Sequence, residues 1–275
     1  MSAGSRDGLQ AVLFDMDGLL IDSERLWLEV ESDVMAWLGG EWSTAHQERL
    51  VGGSLSVAVD YMLELTGAAA DPAEVGRRML DGMAERLTAC APMMPGAKEL
   101  LAELRAEGVP AALVSSSHRR LIEPVLDAVG REHFALSVAG DEVARTKPDP
   151  EPYLTAAARL GADPARCVVL EDSPNGVAAA EAAGCVTVAV PGILPIPPAP
   201  GRTVAASLRE LDLPRLRALA GGWHRTAHTG AADTGGLIPA DRYPRGGSGG
   251  GVTPEEEIRR GVKPPPGGAG SPSGV

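Results

Sequence analysis

The sequence predicts an α/β protein: a doubly wound parallel sheet, an all-helical insertion after the first strand, and a disordered C-terminal tail. Three observations carry this. From about residue 92 onward, short apolar runs alternate with helical stretches, as right-handed βαβ units do. Between Ser23 and Ala91 the periodicity is helical and no strand stands out. Beyond Gly221 the texture collapses into Gly and Pro, 22 of 55 residues, with too little apolar surface to offset the entropy of ordering. Residues 1–22 and 92–220 therefore read as the core, 23–91 as the insertion and 221–275 as the tail.

Taken in order, "AVLF" at 11–14 is a continuous apolar run, as a strand buried on both faces requires. In "ERLWLEVESDVMAWL", Leu26, Val30, Val34 and Leu38 share one helical stripe. "SLSVAVDYMLELTG" and "DPAEVGRRMLDGMAERL" follow as helices, the second opened by Asp71 as N-cap and Pro72 at the first helical position. "APMMPGAKELLAEL" returns to the core. Then come strand "VPAALVSSS", helix "HRRLIEPVLDAVG", a weaker strand near Phe134–Val138 and helix "DPEPYLTAAARLG". Strand "RCVVLED", helix "SPNGVAAAEAAG" and strand "CVTVAV" complete the alternation, with a short strand and a closing helix after Arg202.

Composition excludes several classes. A formal net charge of −12 disfavours nucleic acid and anionic membrane surfaces as partners. Residues 182–201 carry no charge, but five prolines interrupt them, so they do not span a membrane. No signal-peptide-like apolar stretch precedes Asp15. Cys90, Cys167 and Cys185 lack metal-ligand spacing and read as reduced, buried thiols of a cytoplasmic protein.

Polar residues gather where the strands end. The first strand gives Asp15 and Asp17, the second Ser115, Ser116 and Ser117, the loop after the third Lys147, the fourth Glu171 and Asp172. In an open α/β sheet, ligands bind beyond the carboxyl ends of the strands, so these groups share one crevice. Singly, each has a plain explanation: Asp17–Gly18 as a turn, the serines or Asp172 as helix caps, Lys147 as a surface lysine. Jointly, crowded carboxylates call for a cation, and oxygen-only ligands favour a hard ion, Mg²⁺ first.

In this arrangement "FDMDGLLIDSE", "VSSSH", "TKPDPEPY" and "VLEDSPNGVAAAEAAG" resemble the four motifs of the haloacid dehalogenase-like hydrolase superfamily, in its β-phosphoglucomutase and sugar-phosphate phosphatase branch. The resemblance runs from about residue 11 to 190. It implies a Rossmann-like core with a helical cap, and a Mg²⁺-dependent phosphomonoester hydrolase acting on a small sugar or polyol phosphate. It implies that Asp15 is the nucleophile that becomes phosphorylated and that Asp17 is the acid and base. Ser115 and Ser116 would hold the phosphoryl group, and Lys147 would stabilise its charge. The metal would be held by Asp15, Asp17 through its backbone carbonyl, and Asp172, with Glu171 in support. The partner is a small phosphate ester, and the enzyme a monomer.

Two other readings compete. A receiver-type signalling switch uses similar groups, but there the acceptor Asp follows the third strand. A phosphosugar mutase needs a cap His, where Trp27 stands, and a cap Arg for the second phosphate, where Leu55 stands. Arg49, Arg119 and Arg120 are the substitutes the sequence offers. Asp17 itself argues against halide chemistry, since the dehalogenases lack that second acid.

Overall fold

The computed structural model describes residues 8–50 and 54–229, with side chains to residue 222. Six strands, β1 (Ala11–Phe14), β2 (Ala111–Val114), β3 (Leu136–Val138), β4 (Cys167–Glu171), β5 (Val186–Ala189) and β6 (Arg202–Val204), form one sheet. Their order is β3-β2-β1-β4-β5-β6, and every pair is parallel. The chain winds outward from β1 through β2 to β3, then returns to lay β4 on the other side of β1. The direction of winding therefore reverses between β1 and β4, and a crevice opens at that point.

Alternate residues of the central strands feed opposite faces, as the pleat requires. Val12, Phe14, Leu113, Val168 and Leu170 join a core with α5 (Ala97–Ala106), α6 (Arg119–Val129) and α9 (Leu213–Thr229). Ala11, Leu13, Ala112 and Val169 pack instead on Tyr153, Ala156 and Ala157 of α7 (Glu151–Leu160) and on Ala179 and Ala180 of α8 (Pro174–Ala182). The alanines let these two helices lie close to the sheet. Each fully buried Val or Leu in these layers contributes about 1.5–3 kcal/mol.

The cap is helical: α1 (Glu24–Trp37), α2 (Thr44–Glu48), α3 (Leu55–Thr66) and α4 (Pro72–Ala89). Asp71 caps α4 by accepting from Ala73 N at 3.0 Å, ahead of Pro72. The stripe expected on α1 buries Leu26, Val30 and Val34, whereas Leu38 is only half-buried because the helix has ended. The short α2 has no counterpart in the sequence reading. Helix α4 packs on both α1 and the core helix α6, and Arg120 of α6 reaches Asp81 of α4 at 2.5 Å.

Two antiparallel linkers join cap to core. Asp22 N donates to Pro92 O at 2.8 Å and Met94 N to Leu20 O at 2.9 Å, on either side of a bridge between Ile21 and Met93.

Helix α9 runs to Thr229, past the Gly221 at which the tail was expected to begin. The rest of the expected tail, from residue 230, lies outside the described residues. No described helix is long and apolar enough to cross a membrane.

Cysteine burial differs from expectation at one position. Cys167 and Cys185 are buried, but Cys90, in the linker after α4, is exposed. Burial pushes the Cys167 and Cys185 thiols up to about 12, so neither carries thiolate at neutral pH. A thiol-specific disulfide reagent at pH 8 should therefore modify one cysteine quickly, Cys90, and the other two only after denaturant. Loss of the fast phase in Cys90→Ser is the check, and two fast thiols in the native protein would contradict it.

Candidate active site

The crevice between β1 and β4 fixes the site. Asp15 N donates to Leu170 O at 3.1 Å, which carries the β1–β4 ladder one step beyond Phe14. The Asp15 carboxylate thus emerges beside Glu171 and Asp172. One carboxylate oxygen from each of these three residues lies within 4.8 Å of the others, and all three residues are buried. The turn after them needs glycine. Gly18 has φ +80°, and a Cβ there would collide with the Asp172 carboxylate. A Cβ on Gly176, in the first turn of α8, would collide with Glu171.

Lys147 comes in from the loop before α7. Its Nζ donates to Asp15 Oδ1 at 2.5 Å, to Glu171 Oε1 at 2.7 Å and to Val114 O at 2.9 Å. All three ammonium hydrogens are thereby used. The ammonium also lies 4.8 Å from the Tyr153 ring centroid, and Tyr153 OH donates to Glu171 Oε1 at 2.5 Å. Ser173 Oγ adds a donor to Glu171 Oε2 at 3.2 Å. Burial works against the Lys147 charge, but Asp15 and Glu171 hold its pKa above the ordinary lysine value.

One ammonium does not balance three acids. Burial, reinforced by Glu171 and Asp17 and opposed by Lys147, raises Asp15 to about 8. Burial, with Asp15, Glu171 and Glu24 adding to it, raises Asp172 to about 10. Carboxylates this crowded take up a proton or a cation. A buried, oxygen-only set fits a hard divalent ion, so Asp15, Glu171 and Asp172 are residues that could hold one.

The Asp17 carboxylate is not part of that cluster. Its Oδ2 accepts from Ser115 Oγ at 3.2 Å and Ser117 Oγ at 2.8 Å, and its Oδ1 from Trp27 Nε1 at 3.3 Å. Of the metal set expected from sequence, three side chains therefore meet; Asp17 was expected to contribute its backbone carbonyl, and its carboxylate has partners of its own. Ser116 lines the cavity, but the serine that reaches Asp17 beside Ser115 is Ser117.

The cavity these groups open into, about 130 Å³, lies between core and cap. From the cap it is lined by Glu24, Trp27, Glu31, Gln47 and Leu55 among others. Gln47 Nε2 donates to Glu24 O at 2.6 Å, and Trp42 Nε1 donates to Glu31 Oε2 at 2.9 Å. Burial lifts both Glu24 and Glu31 to about 7. The arginines offered as grips for a second phosphate are all engaged away from the cavity. Arg49 lies over the Tyr61 ring at 4.9 Å, Arg119 pairs with Glu142 at 2.7 Å, and Arg120 pairs with Asp81.

Sequence reasoning missed Tyr153, Glu24, Glu31, Gln47 and Trp42. Tyr153 carried a weak signal, since it closes "KPDPEPY" six residues after Lys147. The cap residues carried none, because only the tertiary fold brings them to the cavity.

Known proteins match this arrangement. The haloacid dehalogenase-like hydrolase family profile covers residues 9–184. Hexitol phosphatase B of Escherichia coli (strain K12) is 36% identical over 66% of this chain and 83% of its own length. (DL)-glycerol-3-phosphatase 2 of Arabidopsis thaliana is 31% identical over 68% and 81%. A mutant of CbbY from Rhodobacter sphaeroides, solved in complex with xylulose-1,5-bisphosphate, superposes with a TM-score of 0.69 at 27% identity, covering 76% of this chain and 99% of that one. Acids, lysine and helical cap fall within the matched span, and the chain belongs to the haloacid dehalogenase-like hydrolase family, as a phosphoric monoester hydrolase.

Proposed function

We propose that the enzyme hydrolyses a small sugar or polyol phosphate through a phosphorylated Asp15, with Mg²⁺ as cofactor. The observation that carries this is the pairing of Asp15 with Lys147 on one wall of the cavity, while Asp17 is held separately on neutral donors. Two carboxylates two residues apart thus have different surroundings, and so suit different roles.

The Asp15 carboxylate attacks phosphorus, and the bond from phosphorus to the leaving alkoxide breaks. Asp17 donates a proton to that oxygen, then takes one from the water that attacks the acyl phosphate. Inorganic phosphate leaves and Asp15 is restored. Lys147 stabilises charge on the transferring group, and Ser115 and Ser116 face its oxygens. Asp15, the Asp17 backbone carbonyl and Asp172 would hold Mg²⁺, with Glu171 in support. Bound there, the ion offsets the repulsion between an anionic nucleophile and an anionic phosphate. Residues 1–22 and 92–220 serve as the catalytic core and 23–91 as the cap, in a cytoplasmic monomer.

The names of two relatives, a hexitol phosphatase and a glycerol-3-phosphatase, support a polyol phosphate as substrate. A mutase is disfavoured because Leu55 lines the cavity where a cation would have to grip the second phosphate. The test is phosphate release from a hexitol phosphate. Activity should vanish with EDTA and return with Mg²⁺. With β-glucose 1-phosphate, inorganic phosphate should outpace glucose 6-phosphate. Full activity after chelation and dialysis, or isomer formation outpacing phosphate release, would overturn the reading.

A further inference from the structure

The cavity has two ends of different character. The end at Asp15 holds the lysine and the acids. The end formed by the cap is mostly apolar, with Leu50, Leu55, Ala58, Met79 and Leu80, and it is interrupted by Glu31 and Gln47. Glu31 is 5% exposed. Trp42 Nε1 satisfies one of its oxygens, and the other accepts no hydrogen bond from the described residues. Glu31 lines the cavity, so that oxygen is an acceptor available to a group that enters it. Gln47, 6% exposed, spends its amide N–H groups on Glu24.

No positive charge among the described residues serves this end. Among the described lining residues the basic side chains are Lys147 and His118. Lys147 has spent its three hydrogens on Asp15, Glu171 and Val114, and His118 stands 3.7 Å from Asp141. Residues 51–53, next to the cavity wall in sequence, are Val, Gly and Gly and bring no charge.

We propose that Glu31, held in place by Trp42, reads an uncharged hydroxyl at the far end of the leaving group, so that the enzyme selects polyol chains and rejects phosphate esters carrying a second anion. The proposal rests on the phosphatase reading above and names the residue that sets its substrate class. A hydroxyl supplies the donor Glu31 lacks. A carboxylate or second phosphate in the same position would lose its water, face an acid, and find no cation to replace either.

The experiment compares two substrates differing only at the distal carbon: a hexitol 6-phosphate, ending in CH₂OH, and the matching aldonic acid 6-phosphate, ending in a carboxylate. At pH 8, wild type should prefer the hexitol ester by about 100-fold in kcat/KM, largely through KM. Glu31→Gln should raise kcat/KM for the aldonate by about tenfold while lowering it for the hexitol ester. A gain of that kind cannot come from a damaged fold. Trp42→Phe, which keeps the ring and removes the N–H, should narrow the preference in the same direction. Near-equal turnover of the two substrates by wild type, or a parallel fall for both in Glu31→Gln, would overturn the assignment. Phenyl phosphate, which has no hydroxyl chain, separates the two levels. If wild type releases phosphate from none of the three esters, the phosphatase reading fails. If it hydrolyses phenyl phosphate but shows no preference for the hexitol ester over the aldonate, only the role of Glu31 is lost.

Discussion

Asp15→Asn should lower kcat by roughly 10⁴-fold or more, the order seen when a covalent nucleophile is removed, while the protein stays folded. The amide keeps the shape of the side chain, and its Oδ1 can still accept from Lys147 Nζ, which lies 2.5 Å from the native oxygen. What it loses is the charge that, in the proposed mechanism, attacks phosphorus. Stability should change little or even rise, because one of three mutually repelling acids has gone. The pair of measurements is steady-state phosphate release and a thermal melt. Phosphate release by the mutant within tenfold of wild type would refute Asp15 as the nucleophile. A collapsed melt would point instead to a structural role.

Lys147→Met should have the largest effect on stability. The lysine is buried, and among the described residues its ammonium is the one cation paired with Asp15 and Glu171. Methionine fills much of the same volume but leaves both acids without a cationic partner, although Glu171 keeps the Tyr153 and Ser173 hydroxyls. Removing one member of a buried ion pair costs about 3–5 kcal/mol. A proton taken up by Asp15, already lifted to about 8, offsets part of that loss. The metal-free variant should therefore melt roughly 5–15 °C lower than wild type. Because a divalent ion would replace some of the missing charge, Mg²⁺ should raise the Tm of Lys147→Met more than that of wild type. An unchanged Tm in EDTA would show that the three acids do not depend on the lysine.

The sheet was legible because parallel strands buried on both faces read as unbroken apolar runs, as "AVLF" and "CVVL" do. Edge strand β3, three residues around a serine, gave a weaker signal for the same reason: only one of its residues is buried. Helix α2 left no trace because five residues of "TAHQE" cannot display a helical period. In the site, the strand-end acids and Lys147 could be found because the topology brings strand ends together, and that topology follows from the alternation of elements. The partners of those residues could not. Trp27 was noted only as the absence of a histidine, yet it reaches Asp17. Cys90 was misjudged because its neighbours in sequence are apolar, whereas its position in a linker exposes it.

The two linkers that carry the cap form a ribbon two strands wide, pinned at Leu20–Asp22 and Pro92–Met94. Such a ribbon resists sliding along its length, because sliding breaks its hydrogen bonds together, but it flexes across its flat face. A hinge of that kind would let the cap swing like a door rather than shift sideways. Trp27 sits on the door, while Ser115 and Ser117 belong to the frame. A swing outward would take the indole N–H from Asp17 and leave the two hydroxyls behind. Under the proposed mechanism, opening the cap to substrate would thus strip one donor from the acid, and closing it would restore that donor.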